Sequence, residues 1–389
     1  MNHAESASRR KFLLGMGTSL GSLSILGHMT ASALSVENER PAASLPKGVN
    51  AIPFIHTTDL YNPPEDPDDH LDLATVYALP EFNLRAVILD PTRKFVGQRD
   101  PGFVPVTQLN YLTGRAVPVA AGPIDPLRSA SDTAKDRPRH EQAGIELLLD
   151  ALSRCEEPAF VSVVGSTRVV AAAWNREPKL LQQKVRAVVV NAGSNTKRPG
   201  ADWNTDLDVH AWVALWRSHL PILWYPCTGE HGSHSLEPHN TYWSVSHRQL
   251  FEGLPQPLRA YFDYAFNRSA RGDIIRALSV LGSGPSWEKV LLGRRNMWSA
   301  ASFIMAAGRV LAQTTEGWRF VAKERANGLK LQPLEMLPIA CDVNETGVVH
   351  WSLKPEPGIV RIFRRKPDEE HVLAIGEATN ALLRQMPLD

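Results

Sequence analysis

The chain has 389 residues, 43% of them hydrophobic and 21% charged, with a formal net charge of +1. This is an ordinary globular composition, long enough for one large α/β domain or two smaller ones. A charge so close to zero gives no electrostatic case for nucleic acid or an anionic membrane as partner.

The first segment reads as an address and not as part of the fold. Ser8-Arg9-Arg10-Lys11-Phe12-Leu13-Leu14-Gly15 has the form of a twin-arginine export signal, a modestly apolar run follows from Met16 to Leu26, and Ala31-Ser32-Ala33 offers small residues for cleavage. Residues 1–33 are therefore expected to be an export signal and 34–48 a flexible leader, which implies a periplasmic or extracellular protein. An accidental Arg-Arg before a loose apolar stretch is the plainer alternative. No later stretch is apolar enough to span a bilayer, so no membrane contact is expected once the signal is removed. Residues 49–389 are read as a single domain.

Ala51 to Ile55 is a short apolar run expected to form a buried strand. From Leu71 to Leu79 the apolar residues recur as on one broad helix face. Between them lie Asp59, Glu65, Asp66, Asp68 and Asp69. Five carboxylates within eleven residues repel one another unless a cation sits among them. At the carboxyl end of a strand in an open α/β sheet, such a cluster falls where ligands bind, and a hard divalent cation with oxygen ligands is the natural counter-charge. The plainer reading is a solvated acidic turn, with Asp68 or Asp69 capping the helix.

Downstream, strand-like and helix-like segments alternate. Strands are expected at Arg85–Leu89, Ala116–Ala121, Ala159–Val164, Val185–Val190 and Pro221–Tyr225, with helices at His140–Leu152, Thr167–Trp174 and Asp206–Ser218. This order predicts a Rossmann-like α/β fold, a mostly parallel sheet with helices on both faces. Strands at Pro338–Val343 and Gly358–Phe363 and a helix at Glu377–Met386 are expected to close the chain. Cys155, Cys227 and Cys341 cannot all pair within one chain and match no zinc spacing, so free thiols are expected, with one disulfide allowed. The stretch from Cys227 to His247 carries Glu230, His231, His234, His239 and His247 among Gly, Ser and Pro. It reads as a mobile loop whose histidines face substrate or solvent, with a transition-metal site as the alternative.

These residues also carry a family resemblance. Asp59 after the first strand, with Asp68-Asp69 leading into Leu71-Asp72-Leu73-Ala74, resembles the D-x-D-x-x-x-D-D motif of inosine-uridine nucleoside hydrolases. Pro80 to Leu89 is similar to that family's second strand, and Pro118-Val119-Ala120-Ala121-Gly122 to its P-V-x-x-G strand end. Val164-Gly165-Ser166-Thr167-Arg168 resembles its G-P-L-T-N turn, and Ala201-Asp202-Trp203-Asn204 its E-F-N motif. There are departures. Thr57 stands where the first Asp would be, and eight residues, not three, separate Asp59 from Asp68. Arg295 and Asn296 stand in place of a His-Asp pair, in a segment expected to open a long helix reaching to about Leu311. The resemblance is to a divergent branch and covers roughly residues 50 to 385.

The resemblance implies a nucleoside hydrolase fold with bound Ca2+, held by Asp59, Asp69, the Thr167 carbonyl and Asn296. It implies Asp59 as general base toward water, Asp68 orienting the ribose, and Asp202, Asn204 and Asn195 meeting its hydroxyls. His231 and His234 would meet the base. Arg295 cannot donate a proton at neutral pH but can stabilise an anionic leaving group. For Thr167 the plainer alternative is a helix N-cap, and for Asp202 and Asn204 a polar loop ahead of a helix capped by Thr205 or Asp206. The implied partner is a small-molecule nucleoside or riboside, with room for a homo-oligomer. Two further readings compete with this one: an exported, non-catalytic sugar- or nucleoside-binding protein on a degenerate hydrolase scaffold, and a hydrolase of another glycoside.

Overall fold

The computed structural model describes residues 51–198, 202–355 and 358–389. The export signal and leader expected at 1–48, and Ala201, lie outside them. The strands in chain order are β1 (Ile52–Thr58), β2 (Phe82–Leu89), β3 (Val119–Ala121), β4 (Ala159–Val164), β5 (Val185–Asn191), β6 (Ile222–Trp224), β7 (Trp243–Ser246), β8 (Arg294–Met297), β9 (Arg309–Thr314), β10 (Gly317–Ala322), β11 (Lys330–Gln332), β12 (Leu334–Val343), β13 (Val349–Leu353) and β14 (Val360–Arg365). Nine of them form the main sheet in the order β13-β12-β14-β6-β5-β4-β1-β2-β3. The seven from β14 to β3 run parallel, and β12 pairs antiparallel with both its neighbours. This is the mostly parallel, helix-flanked fold expected from the alternation of elements.

The central strands are buried on both faces, which is why Phe54-Ile55, Val161, Val163 and Val188–Val190 read as apolar runs without period-2 alternation. One core lies on each side of the sheet: Phe54, Tyr77 and Phe303 belong to one, Ile55, Val163 and Trp212 to the other. The chain runs from β1 outward through β2 to β3, then returns to the other side of β1 with β4. The gap between the carboxyl ends of β1 and β4 is thus a topological switch point, where open α/β sheets bind ligands.

The helix Asp68–Ala78 does not lie half-exposed on the sheet. All eleven of its residues are buried, because the helices Glu369–Arg384, Ala300–Ala306 and Phe103–Leu112 pack around it. Its polar residues therefore enter the interior with its apolar ones.

The long helix expected from Arg294 is corrected. Residues 294–297 form β8, paired antiparallel with β7 in the register Arg295↔Val245 and Asn296↔Ser244. The helix that follows spans only Ala300–Ala306 and stops at Gly308, whose φ of +73° suits glycine. Leu311 then lies on β9, in a small sheet β10-β9-β11. The helix expected at Asp206–Ser218 is two, Trp203–Asp206 and Val209–Trp216, the second capped by Asp208 accepting the Ala211 N–H at 2.9 Å. The last helix begins at Glu369, eight residues earlier than expected, with Asp368 accepting the His371 N–H at 2.8 Å. The three cysteines are free, as expected. No helix among the described residues is long and apolar enough to cross a membrane.

Candidate functional site

A cleft of about 340 Å³ opens at the switch point. From β1 and the loop after it come Asp59, Asp66, Asp68 and Asp69; the β5 side adds Asn191, Asp202, Trp203 and Asn204; His234, Arg295, Asn296 and Trp298 face them. Residues separated by more than two hundred positions thus meet around one space.

Asp59 is the first residue beyond β1. Its place depends on Gly165 after β4, where φ is +112° and an added Cβ would sit 3.0 Å from Asp59 Oδ1. A side chain at 165 would be strained and would push the carboxylate aside. Burial first, then the charges of Asp90 and Asp66, pushes the Asp59 carboxyl up to about 7. Asp68 and Asp69 open the helix, where its amide dipoles favour negative charge. Even so, burial and neighbouring carboxylates drive both well above the usual range, with Asp59 among the causes for Asp69.

Oxygens of Asp68, Asp69 and Asp72 lie within 4.8 Å of one another. Asp68 Oδ1 and both oxygens of Asp72 are buried with no hydrogen-bond partner among the described residues. Buried carboxylates without donors either stay protonated or take a cation. The donors are all oxygen, carboxylates plus the Asn296 amide, which suits a hard divalent ion. The cluster can hold a metal. Glu65, counted among the five clustered acids, is neutralised otherwise: Arg99 pairs with it, and Lys94 Nζ lies 3.7 Å away. Those two cations bolt the long loop between Asp59 and Asp68 to residues 93–101, where Tyr61 N and Asn62 N also donate to Pro101 O and Asp100 O.

The opposite wall carries one carboxyl, Asp202, among amide donors and acceptors. Asp202 caps the helix Trp203–Asp206 and accepts the Gly193 N–H at 2.7 Å and the Thr205 N–H at 3.2 Å; burial pushes its carboxyl up to about 6. It is thus both cap and wall. Asn204 Nδ2 donates to Asn191 O at 3.2 Å, and Asn191 Oδ1 is buried without a donor. On the far rim His234, Tyr242 and Trp298 form an aromatic group with ring centroids 5.4–5.5 Å apart. Arg295 donates Nε and Nη2 to His247 Nε2 at 3.3 and 3.1 Å, and stands over the Phe266 ring. His247 in turn uses Nδ1–H toward Val290 O at 2.7 Å, so its Nε2 is the acceptor. Asn296 Oδ1 accepts the Tyr242 hydroxyl at 3.1 Å.

The structure brings Asp59, Asp68, Asp69, Asp202, Asn204, His234, Arg295 and Asn296 to one cleft. Three sequence candidates lie off its wall. Thr167 is the N-cap of the helix Arg168–Arg176, and its carbonyl takes the Ala171 amide; the residue of that turn which reaches the cleft is Val164. Asn195 spends its side-chain amide on His239 O at 3.1 Å and its carbonyl on Trp351 Nε1. The His231 side chain is 81% exposed, with Nδ1 3.4 Å from Glu237.

Sequence reasoning missed Asp72, Trp298 and the Asp90–Arg168–Asp208 network beneath the site. Arg168 is fully buried; it donates Nε to Asp208 at 3.0 Å and reaches carbonyls of Pro91, Pro123 and Leu207. Asp90 receives the Ser166 N–H at 2.7 Å. One guanidinium thus ties together the turns after β2 and β3 and the segment ahead of Asp208. Only an Arg placed directly after the Gly-Ser-Thr turn hinted at it.

No family model and no curated protein matches the sequence. Among solved structures the chain is similar to a purine-preferring ribonucleoside hydrolase from Gardnerella vaginalis, at TM-score 0.48 and 13% identity over 85% of this chain and 99% of the other. It is similar to an inosine-uridine preferring nucleoside hydrolase from Bacillus anthracis, at 0.48 and 12% over 86% and 99%. A plant nucleoside hydrolase follows at 0.47 and 14% over 85% and 98%.

Proposed function

We propose that this chain hydrolyses the N-glycosidic bond of ribonucleosides or related ribosides, with a divalent cation, calcium by its donor chemistry, held by Asp59, Asp69 and Asn296. The observation that supports it is the convergence of Asp59, Asp68 and Asp69 with Asn191 and Asn204 in one cleft. Asp59, Asp69 and Asn296 would hold a divalent cation there, which would supply Lewis-acid activation of a water and a charge for sugar hydroxyls to meet. Asp59 is placed to take the proton as the oxygen attacks C1′, and a cation beside it would hold its carboxylate ionised, the form a general base requires. Asp68, Asn191 and Asn204 orient the ribose hydroxyls. The surrounding carboxylates favour the positive charge of an oxocarbenium-like transition state. Arg295 is fixed by His247 and serves electrostatically toward the departing group. His234 is the imidazole on the wall able to pass it a proton.

A panel of nucleosides and nitrophenyl glycosides, assayed with the wild type and Asp69→Ala, tests this. Hydrolysis of ribosides lost in the variant supports it; equal rates in both remove the enzyme reading. The second reading, an exported binding protein, draws on Arg295, whose position offers no acid. It predicts ribose binding without turnover. Export itself is proposed from residues 8–33 and is tested by fractionating cells that express the full chain and an Arg9→Lys, Arg10→Lys variant.

A further inference from the structure

The helix spacing of Asp68, Asp69 and Asp72 places the third carboxylate one turn beyond the first two on the same face. Asp72 is fully buried, and neither of its oxygens has a partner within hydrogen-bonding distance among the described residues. The Ser299 side chain, three residues after Asn296, faces Asp72, so the segment carrying Asn296 packs against the helix carrying Asp72. Asn296 is a poor ligand twice over. It is uncharged, and its Oδ1 already accepts the Tyr242 hydroxyl. An independent group, Asn191 on β5, lines the cleft that Asp68 and Asp69 reach, and its buried Oδ1 has no partner among the described residues.

We propose that Asp72 is a direct oxygen ligand of the cation, supplying from the helix Asp68–Ala78 the negative charge that Asn296 lacks. The inference rests on the metal reading above and deepens it. Its chemistry is simple: charge count sets the affinity of an all-oxygen site, and a carboxylate with two open oxygens binds a hard cation better than an amide already engaged. It also accounts for an ionisable group in a fully packed interior, where an unpaired carboxylate is otherwise a pure cost.

The test is calorimetric titration of calcium chloride into chelator-stripped protein: wild type, Asp72→Asn, Asn296→Asp and the double variant. The expected result is a Kd raised at least about tenfold, equal to 1.4 kcal/mol, in Asp72→Asn. That variant should unfold at a temperature no lower than the wild type when both are stripped, since an unpartnered carboxylate has been removed. Asn296→Asp should offset the loss in the double variant and add less than tenfold on its own. Calcium bound equally by wild type and Asp72→Asn would overturn the assignment while leaving the metal reading intact. A wild type that binds no calcium would fail the metal reading first. If Asp72→Asn does not fold, Asn296→Asp alone decides: a gain of tenfold or more means that the charge was missing, and Asp72 is not a ligand.

Discussion

Removing the cation should turn the acidic cleft into a pH-dependent weakness, with the sign set by burial. In the stripped protein the Asp59 carboxyl holds its proton up to about 7 and Asp72 up to about 8, against an ordinary value near 3.8 in the unfolded chain. Folding therefore takes up protons at these two groups between those values, and their contribution to stability is fully present below about pH 4 and is lost as pH rises to 8. Buried, neutral His56, His70, His247 and His371 make the opposite contribution below about pH 6.5. For Asp59 alone the shift of about 3 units, at 1.36 kcal/mol each, amounts to about 4 kcal/mol. That is a large part of a typical 5–15 kcal/mol total. Urea unfolding in chelator at pH 5, 6, 7 and 8 should show the fall. Calcium at one hundred times its Kd should return about 2.7 kcal/mol at pH 8. Asp59→Asn should flatten the profile. An Asp59→Asn variant whose stability follows pH as the stripped wild type does, or a wild type indifferent to calcium at pH 8, would refute the reasoning.

Other outcomes follow from the same geometry. Asp59→Asn should raise the calcium Kd and, at saturating calcium, still lower kcat on ribosides by roughly 10²–10⁴-fold, because it removes the proton acceptor as well as one ligand charge; calorimetry beside turnover separates the two effects. Arg168→Leu should cost about 3–5 kcal/mol in chemical denaturation, since it strands Asp90 and Asp208 in a buried site. Asn204→Ala should raise KM more than it lowers kcat, measured by steady-state kinetics on the best riboside. His247→Phe should release Arg295 and reduce turnover most for substrates with the poorest leaving groups, seen by comparing nitrophenyl ribosides with nucleosides.

The sheet was legible because parallel strands buried on both faces leave continuous apolar runs, and Phe54, Val161 and Val188 sit in such runs. The acidic stretch was legible because Asp59 and Asp68-Asp69 straddle a strand-to-helix crossing, and the structure turns them into one cleft. Asp72 was hidden for the same reason it matters. A single Asp in a helix reads as its solvent face, and only the packing of three other helices shows that this helix has none. Residues 294–311 misled because Met297, Ala300, Ala301 and Phe303 suit a helix, whereas β7 claims 294–297 by backbone pairing between segments fifty residues apart. Thr167 and Asn195 followed motif and proximity, yet the Thr167 carbonyl takes the Ala171 amide of its own helix and Asn195 is engaged by His239 and Trp351 from distant segments. Arg168 was hard to read because its partners lie in three separate segments, at residues 90–91, 123–124 and 207–208.

The measurement closest to the central claim is a crystal structure of the protein soaked with manganese as an anomalous stand-in for calcium, together with D-ribose. An anomalous peak bounded by Asp59, Asp69 and Asp72, with the ribose diol against it and Asn204 at its hydroxyls, is the expected result. A peak elsewhere, or an ordered ribose in a cleft without any ion, would contradict it.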